Sequence, residues 1–148
     1  MNYQVGQTGR MIVVHFEDGD EILTNLSEIA LKEDIRAAIF YLIGGLREGR
    51  IVAGPETDVL PPTPFWRDLN ETHETVGTGT IFWDNAGPKI HFHGVFGKHE
   101  SVKAGCLRET ATTFIIMEAI ILEIKGVNAV RDFDPLSNMV ILNMRNPS

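Results

Sequence analysis

The segment Ile90-His91-Phe92-His93 contains the residues of this sequence whose types and spacing most clearly suggest chemistry. A strand points alternate side chains to one face, so an extended backbone would aim His91 and His93 at the same point. Neutral imidazole is a common ligand of Zn²⁺ and of neighbouring divalent metals. The same spacing also fits an ordinary pair of hydrogen-bonded or exposed histidines on a strand. The pair alone therefore leaves both interpretations open.

Cys106, the only cysteine of the chain, is the natural third donor. It follows the histidines closely enough that a chain returning along the sheet would place it beside them. Two imidazoles and one thiolate are the minimum donor set of a catalytic-type zinc site, in which a fourth position stays open. Free cysteine is also among the most buried residue types, so a small apolar core residue is the competing interpretation of Cys106.

Other polar residues near this segment are weaker candidates. His73 and Glu74 could supply a fourth ligand, a hydrogen bond to a ligating histidine, or a general base. We expect His15 and His99 to be ordinary core or solvent-exposed histidines. The segment Gly77-Thr78-Gly79 is too short for a dinucleotide-binding loop, which needs a third glycine at the start of a helix.

The first elements that must position these side chains form a strand–helix–strand unit. Residues 11–16 are apolar and β-branched, which predicts a strand, and residues 17–20 supply a turn. Helical spacing of apolar residues predicts a helix over residues 21–34, and the apolar run at residues 37–46, closed by Gly44-Gly45, predicts a buried strand. This order predicts a crossover unit at the start of the chain.

The remainder of the sequence has the pattern of β structure. Prolines predict a loop over residues 55–64, and turn residues 84–88 between two strand-like runs, residues 72–83 and 89–96, predict a hairpin. The isoleucines of residues 113–124 favour a strand, and a strand at residues 139–144 is expected to close the sheet. The predicted fold is therefore α/β, more closely α+β, with a mainly antiparallel sheet and an N-terminal βαβ crossover helix.

Length and composition indicate one domain over residues 1–148. The chain has 43% hydrophobic and 22% charged residues, which is enough to bury a core. No apolar run approaches the roughly 20 residues that a membrane span needs. The N-terminus lacks the pattern of a signal peptide, and a single cysteine suits a reducing compartment, so we expect a cytoplasmic protein without membrane contact.

The net charge of −7 argues against direct binding to DNA. A protein that holds phosphate backbones usually has a basic excess, whereas the acidic excess of this chain lies in residues 1–74. Four cations in the second half could form a local basic patch, although scattered solvated side chains are the simpler interpretation; they are Lys89, Lys98, Lys103 and Arg108.

Several segments together resemble one known family. They are Gly9-Arg10, Gly44-Gly45, Gly77-Thr78-Gly79-Thr80-Ile81, His91-Phe92-His93-Gly94-Val95-Phe96-Gly97 and Ala104-Gly105-Cys106-Leu107. In this pattern the chain resembles the plants and prokaryotes conserved domain, the PPC domain. It is similar to the stand-alone prokaryotic type, because it has no AT-hook: Arg47-Glu48-Gly49-Arg50 lacks the proline and has an acidic residue between its arginines.

The resemblance implies a homotrimer with a metal site. His91 and His93 match the histidine pair of the family, and Cys106 stands where many members have histidine, which retains a metal donor. Zinc is the expected ion, with another divalent transition metal as the alternative. The family implies no settled reaction or small-molecule ligand.

Four functions therefore remain open at the level of the sequence. They are a metal-binding trimer of unassigned activity, a metal-dependent hydrolase or lyase that uses the open coordination position, a DNA-associated regulatory or architectural protein, and a purely structural trimer.

Overall fold

A computed structural model describes residues 1–145 of the chain. One short helix and eight strands follow one another, and most of the described residues are in strands. The elements are β1 (Gln7–Glu17), α1 (Ile22–Lys32), β2 (Ala37–Pro55), β3 (Pro64–Leu69), β4 (His73–Asp84), β5 (Gly87–Lys98), β6 (Ser101–Lys125), β7 (Ala129–Asp134) and β8 (Met139–Met144). Within residues 1–145, no helix has the length and apolar character needed to cross a membrane.

Strands β1 to β6 form one antiparallel sheet in the order β1-β6-β5-β4-β2-β3, and β6 also pairs with β2. The long strand β6 therefore contacts three partners, and the pairings β2–β4, β4–β5, β5–β6 and β6–β2 close a circuit. The fold class predicted from the sequence, a mainly antiparallel sheet with few helices, is confirmed.

The strand–helix–strand unit at the start of the chain is present, but its two strands are not neighbours. Ile121 of β6 pairs with Ile12 of β1 on one side and with Phe40 of β2 on the other, so β6 lies between them. Since both pairings are antiparallel, β1 and β2 run parallel to each other across the intervening strand, which is a split βαβ arrangement. Glu21 caps the N-terminus of helix α1, where its carboxylate accepts a hydrogen bond of 2.6 Å from the Thr24 N–H.

The prediction that Gly44-Gly45 ends the second strand is wrong, because β2 continues to Pro55. Gly44 has a φ of 140°, and a Cβ there would lie 2.4 Å from the backbone oxygen of Ile116. The register of β2 against β6 shifts immediately after Gly44. The glycines therefore allow a bulge and a close approach between strands instead of terminating one.

The hairpin predicted around residues 84–88 is confirmed by β4 and β5. The carboxylate of Asp84 accepts hydrogen bonds from the N–H groups of Ala86 at 2.7 Å and Gly87 at 3.0 Å. Such a side-chain bond to the following backbone is what favours aspartate in turns. This turn sets the register in which β5 presents its histidines.

Residues 139–144 form a strand as predicted, but they do not close the main sheet. This strand, β8, pairs with β7 in a separate two-stranded sheet. Both edges of the second half of β6 are already occupied by β1 and β2, and Gly126, with a φ of 77°, turns the chain away. The last two strands therefore fold back as a hairpin of their own.

One face of the main sheet is packed against α1, and aromatic rings fill the space between them. Phe40 and Phe92 are fully buried and stack with their centroids 5.8 Å apart. A Cβ on Gly79 would lie 2.2 Å from Phe40 Cζ, and one on Gly77 would lie 2.5 Å from Phe92 Cζ. The two glycines of the Gly-Thr-Gly segment thus make room for the rings inside a strand, which agrees with its rejection as a nucleotide loop.

Candidate metal centre

His91 and His93 lie on the face of β5 opposite the aromatic core. Phe92 between them is buried, and the alternation of a strand sends its two neighbours to the other face. The two rings meet edge to face with centroids 4.9 Å apart, and their Nε2 atoms are 3.1 Å apart. The sequence prediction that both imidazoles point to one place is correct.

Cys106 lies directly beside this pair. It is the register partner of His93 across the β5–β6 ladder. Cys106 is only 4% exposed, and its Sγ lies 3.9 Å from the Leu107 carbonyl oxygen. One donor atom from each of His91, His93 and Cys106 lies within 4.8 Å of the others. The structure therefore brings together the three residues that the sequence nominated, and Cys106 is both buried and next to the histidines.

The spacing of these donors fits a tetrahedral ion. Two nitrogen ligands, each about 2.0–2.1 Å from a zinc ion in tetrahedral geometry, lie about 3.3 Å apart. The observed 3.1 Å between the Nε2 atoms of His91 and His93 is close to that value. The distances from the Cys106 sulfur to the two imidazoles do not exceed 4.8 Å. Two nitrogens and a sulfur are also a donor set that zinc prefers.

The electrostatic surroundings keep His91 in the form that binds metal. Burial, together with the positive charges of Arg131, His93 and Arg108, lowers the pKa of His91 to about 4. Burial also raises the pKa of the Cys106 thiol, and the two arginines only partly oppose that effect. At neutral pH the imidazole of His91 is therefore free to bind, whereas Cys106 must release a proton to act as a ligand.

Arg131 is a residue of this site that the sequence reasoning missed. Its guanidinium donates a hydrogen bond of 3.1 Å to Oγ1 of Thr80, which is the register partner of His91. Arg131 comes from β7, which pairs with β8 outside the main sheet, so no sequence pattern links it to the histidines. Arg108 stands two residues after Cys106, and its charge lowers the pKa values of both His91 and Arg131.

The other polar candidates lie elsewhere. His73 is buried at the start of β4, where its Nδ1 is 2.5 Å from the Glu71 carbonyl oxygen. Glu74 pairs with Gly97 at the far end of the β4–β5 hairpin from His91. Neither joins the donor cluster among the described residues. Their proposed roles as a fourth ligand or general base at this site therefore lack structural support.

The remaining histidines and lysines are ordinary surface groups. His15 is exposed on β1, and His99 is exposed in the turn between β5 and β6. Lys89 forms an ion pair with Asp84, and Lys98 forms one with Glu71. Two of the four cations considered as a basic patch are therefore paired with carboxylates, which agrees with the simpler interpretation of scattered surface side chains.

The candidate metal donors share their face of the sheet with an exposed apolar surface. Tyr41 of β2 is aligned with His93 through Thr78 of the intervening strand. We call this surface the outer apolar face, and its residues, each between about two fifths and just over half exposed, are Tyr41, Ile43, Val76, Val95 and Ile120. An exposed apolar patch of this kind commonly marks an interaction surface.

Comparisons with known families agree with the sequence pattern. The family model of the Plants and Prokaryotes Conserved (PCC) domain, the domain abbreviated PPC above, matches residues 3–125. The match includes all three candidate metal ligands but ends before β7, and therefore before Arg131. No curated protein matches the chain significantly.

Solved structures share the fold at low sequence identity. A metal-containing protein from Archaeoglobus fulgidus is 21% identical, with a TM-score of 0.84 over 95% of this chain and 98% of that one. A PPC protein from Pyrococcus horikoshii is 23% identical, with a TM-score of 0.83 over 98% and 99% of the two chains. A candidate DNA-binding protein from Ralstonia eutropha is 23% identical, with a TM-score of 0.76 over 90% of each chain.

Proposed function

Because the chain belongs to the family of the Plants and Prokaryotes Conserved domain, we propose that it is a metal-binding member whose ion is held by His91, His93 and Cys106. Zinc suits the donors best, and another divalent transition metal is the alternative. The observation that supports this most is the convergence of two imidazoles and a thiol within 4.8 Å. The structurally similar protein from Archaeoglobus fulgidus is described as metal-containing, which agrees with the proposal.

Elemental analysis of the purified protein tests this proposal. Protein loaded with zinc and then desalted should retain about one ion per chain, and the His91→Ala/His93→Ala double variant should retain almost none, because a lone thiol cannot hold zinc tightly. The matched control is His15→Ala/His99→Ala, which removes two exposed histidines and should keep the wild-type content. Equal metal content in all three proteins would refute the site.

We also propose that the chain assembles as a homotrimer through the outer apolar face. The family resemblance implies a trimer, and the exposed apolar side chains on one sheet face give it a surface to bury. His93 is aligned across the strands with Tyr41 of the outer apolar face, so the metal centre would border the assembly surface.

Light scattering after gel filtration measures the assembly. The measured mass of the wild type should be three times the chain mass of 16.5 kDa. Ile43→Lys should have the mass of a monomer, because the trimer would bury the lysine charge without a partner. Leu31→Lys is the control, since Leu31 is an exposed leucine on α1, away from the outer apolar face. A monomeric wild type would refute the trimer.

A hydrolytic or lyase-like reaction is the enzymatic extension of the same proposal. Three protein donors leave one position of a tetrahedral ion open, and the exposed ring of His93 leaves the site accessible. A metal in such a site lowers the pKa of bound water. Zinc-dependent hydrolysis of a simple ester or phosphoester, lost in the double histidine variant, would support an enzyme, and its absence across both substrates would favour a non-catalytic metal site.

Direct DNA association has little support from the charges of this chain. Its net charge is −7, and the two lysines of β5, Lys89 and Lys98, form ion pairs. We expect no binding to duplex DNA even at low salt, where electrostatic attraction is strongest. Binding at low salt that weakens steeply as salt rises would instead favour the DNA-associated function.

A further inference from the structure

Two arginines stand beside the candidate metal ligands without a carboxylate partner among residues 1–145. Arg131 is 9% exposed and donates a hydrogen bond to the Thr80 hydroxyl, which is neutral. Arg108 lies on β6 two residues after Cys106, so the alternation of a strand places both side chains on one face. By contrast, the neighbouring hairpin residue Arg145 has its guanidinium 2.7 Å from a carboxylate oxygen of Asp132.

This arrangement concentrates positive charge in a poorly solvated place. A divalent ion, one thiolate and two guanidinium groups together leave roughly three uncompensated positive charges. Burying charge without a partner is costly, and an anion bound at the same place would offset much of that cost. The excess is local, because the chain as a whole has a net charge of −7.

We propose that the metal centre binds a small ligand with an anionic oxygen group, a carboxylate or a phosphate, which Arg131 and Arg108 hold beside the open metal position. The proposal rests on the metal site proposed above. A guanidinium has five donors in a planar fork, and the bond to Thr80 uses one of them, so Arg131 retains donors for a bidentate contact. Thr80, the register partner of His91, holds the guanidinium next to the metal ligands.

The burial of Arg131 favours a small ligand over a nucleic-acid backbone. Only 9% of its surface is exposed, and its side chain lies against β4, at Thr80 and the ring of Phe82. Duplex phosphates are contacted by side chains that reach outward from the protein surface. A carboxylate or phosphate on a small molecule can enter where a duplex cannot.

Calorimetric titration with two probes, inorganic phosphate and acetate, tests the proposal on zinc-loaded protein. Arg131→Gln and Arg108→Gln should each weaken binding of the better probe about 10-fold or more, because each removes a charge-assisted hydrogen bond. The matched control Arg145→Gln should bind like the wild type, since Arg145 already pairs with Asp132. The probe that binds more tightly identifies the anionic group.

Several outcomes would overturn the proposal. Equal affinities in the wild type and in both arginine variants would do so, as would an equal loss in Arg145→Gln. If Arg131→Gln does not fold, the less buried Arg108→Gln and the charge-conserving Arg131→Lys decide the matter, and the latter should bind with intermediate affinity. Competition by a short DNA duplex at equal phosphate concentration would contradict a small ligand.

The same titrations on protein stripped with a chelator separate this proposal from the metal proposal. If no metal loads but phosphate or acetate binding still depends on Arg131 and Arg108, the metal assignment fails and the anion site stands. If metal loads with the predicted ligands but the arginine variants bind both probes like the wild type, the anion site fails and the metal assignment stands.

Discussion

Replacing Gly79 with alanine tests how the aromatic core beneath the candidate metal centre constrains strand β4. A Cβ at this position would lie 2.2 Å from Cζ and 2.5 Å from Cε1 of Phe40, and 2.7 Å from the backbone oxygen of His91. Phe40 is fully buried and stacked on Phe92, so its ring has little room to withdraw. The added methyl group must therefore move an aromatic ring, a strand, or both.

The expected cost follows from this crowding. Overpacking a core costs about 1–3 kcal/mol, and alanine in a strand recovers roughly 0.5–1 kcal/mol relative to glycine through the unfolded state. Because both a ring and a backbone oxygen obstruct the methyl group, we expect a net loss of about 2 kcal/mol. For a chain of this size that corresponds to a fall of about 4–8 °C in Tm.

Urea unfolding followed by circular dichroism, at one protein concentration and without metal, measures the free energy of unfolding. The matched control is Gly97→Ala, at another glycine of the β4–β5 hairpin. There the nearest atom to an added Cβ is the Glu74 backbone oxygen, at 4.0 Å. We expect that variant to stay within about 0.5 kcal/mol of the wild type. A Gly79→Ala variant as stable as Gly97→Ala would refute the reasoning.

Two further predictions concern buried polar groups. The Glu123 carboxylate is 1% exposed and accepts hydrogen bonds from Arg10, which with Lys125 hold its pKa at about 2 instead of the usual 4.5. The ionised carboxylate therefore stabilises the fold fully above pH 4.5, and this stabilisation is lost as the pH falls through about 2. The free energy of unfolding of Glu123→Gln should be about 1–3 kcal/mol lower than that of the wild type at pH 7 and equal to it near pH 2. A gap in urea stability that persists unchanged at pH 2 would contradict this. At the metal site, Cys106→His should retain zinc in elemental analysis, because imidazole replaces the lost donor. Cys106→Ala should lose most of the zinc, because a methyl group cannot bind it. Equal zinc retention by the two variants would exclude Cys106 as a ligand.

The sequence was sufficient to predict that His91 and His93 share a face, because their placement depends on local geometry. The period of a strand sets the common face of His91 and His93, and the turn residues after Asp84 set the hairpin that presents them. The position of Cys106 needed one further assumption, that the chain returns beside the hairpin, and the register of His93 with Cys106 agrees with it.

Arg131 could not be predicted in this way, because its position depends on tertiary packing. The β7–β8 hairpin is not part of the main sheet, and it reaches the site through a contact between Arg131 and Thr80. The prediction that residues 139–144 close the sheet failed for a related reason: pattern alone does not show which strand edges are free. Likewise, Gly44 was interpreted as an end of a strand, since its close approach to Ile116 depends on a distant segment.

The central claim is that one metal ion is bound between His91, His93 and Cys106, and anomalous diffraction at the zinc absorption edge tests it most directly. Crystals grown from zinc-loaded protein should show an anomalous peak within about 2.0–2.3 Å of the two imidazoles and the thiolate. Crystals of the His91→Ala/His93→Ala variant, grown in the same way, should lack that peak. An anomalous map of the wild type with no peak at these three residues, or with the strongest peak elsewhere, would contradict the account.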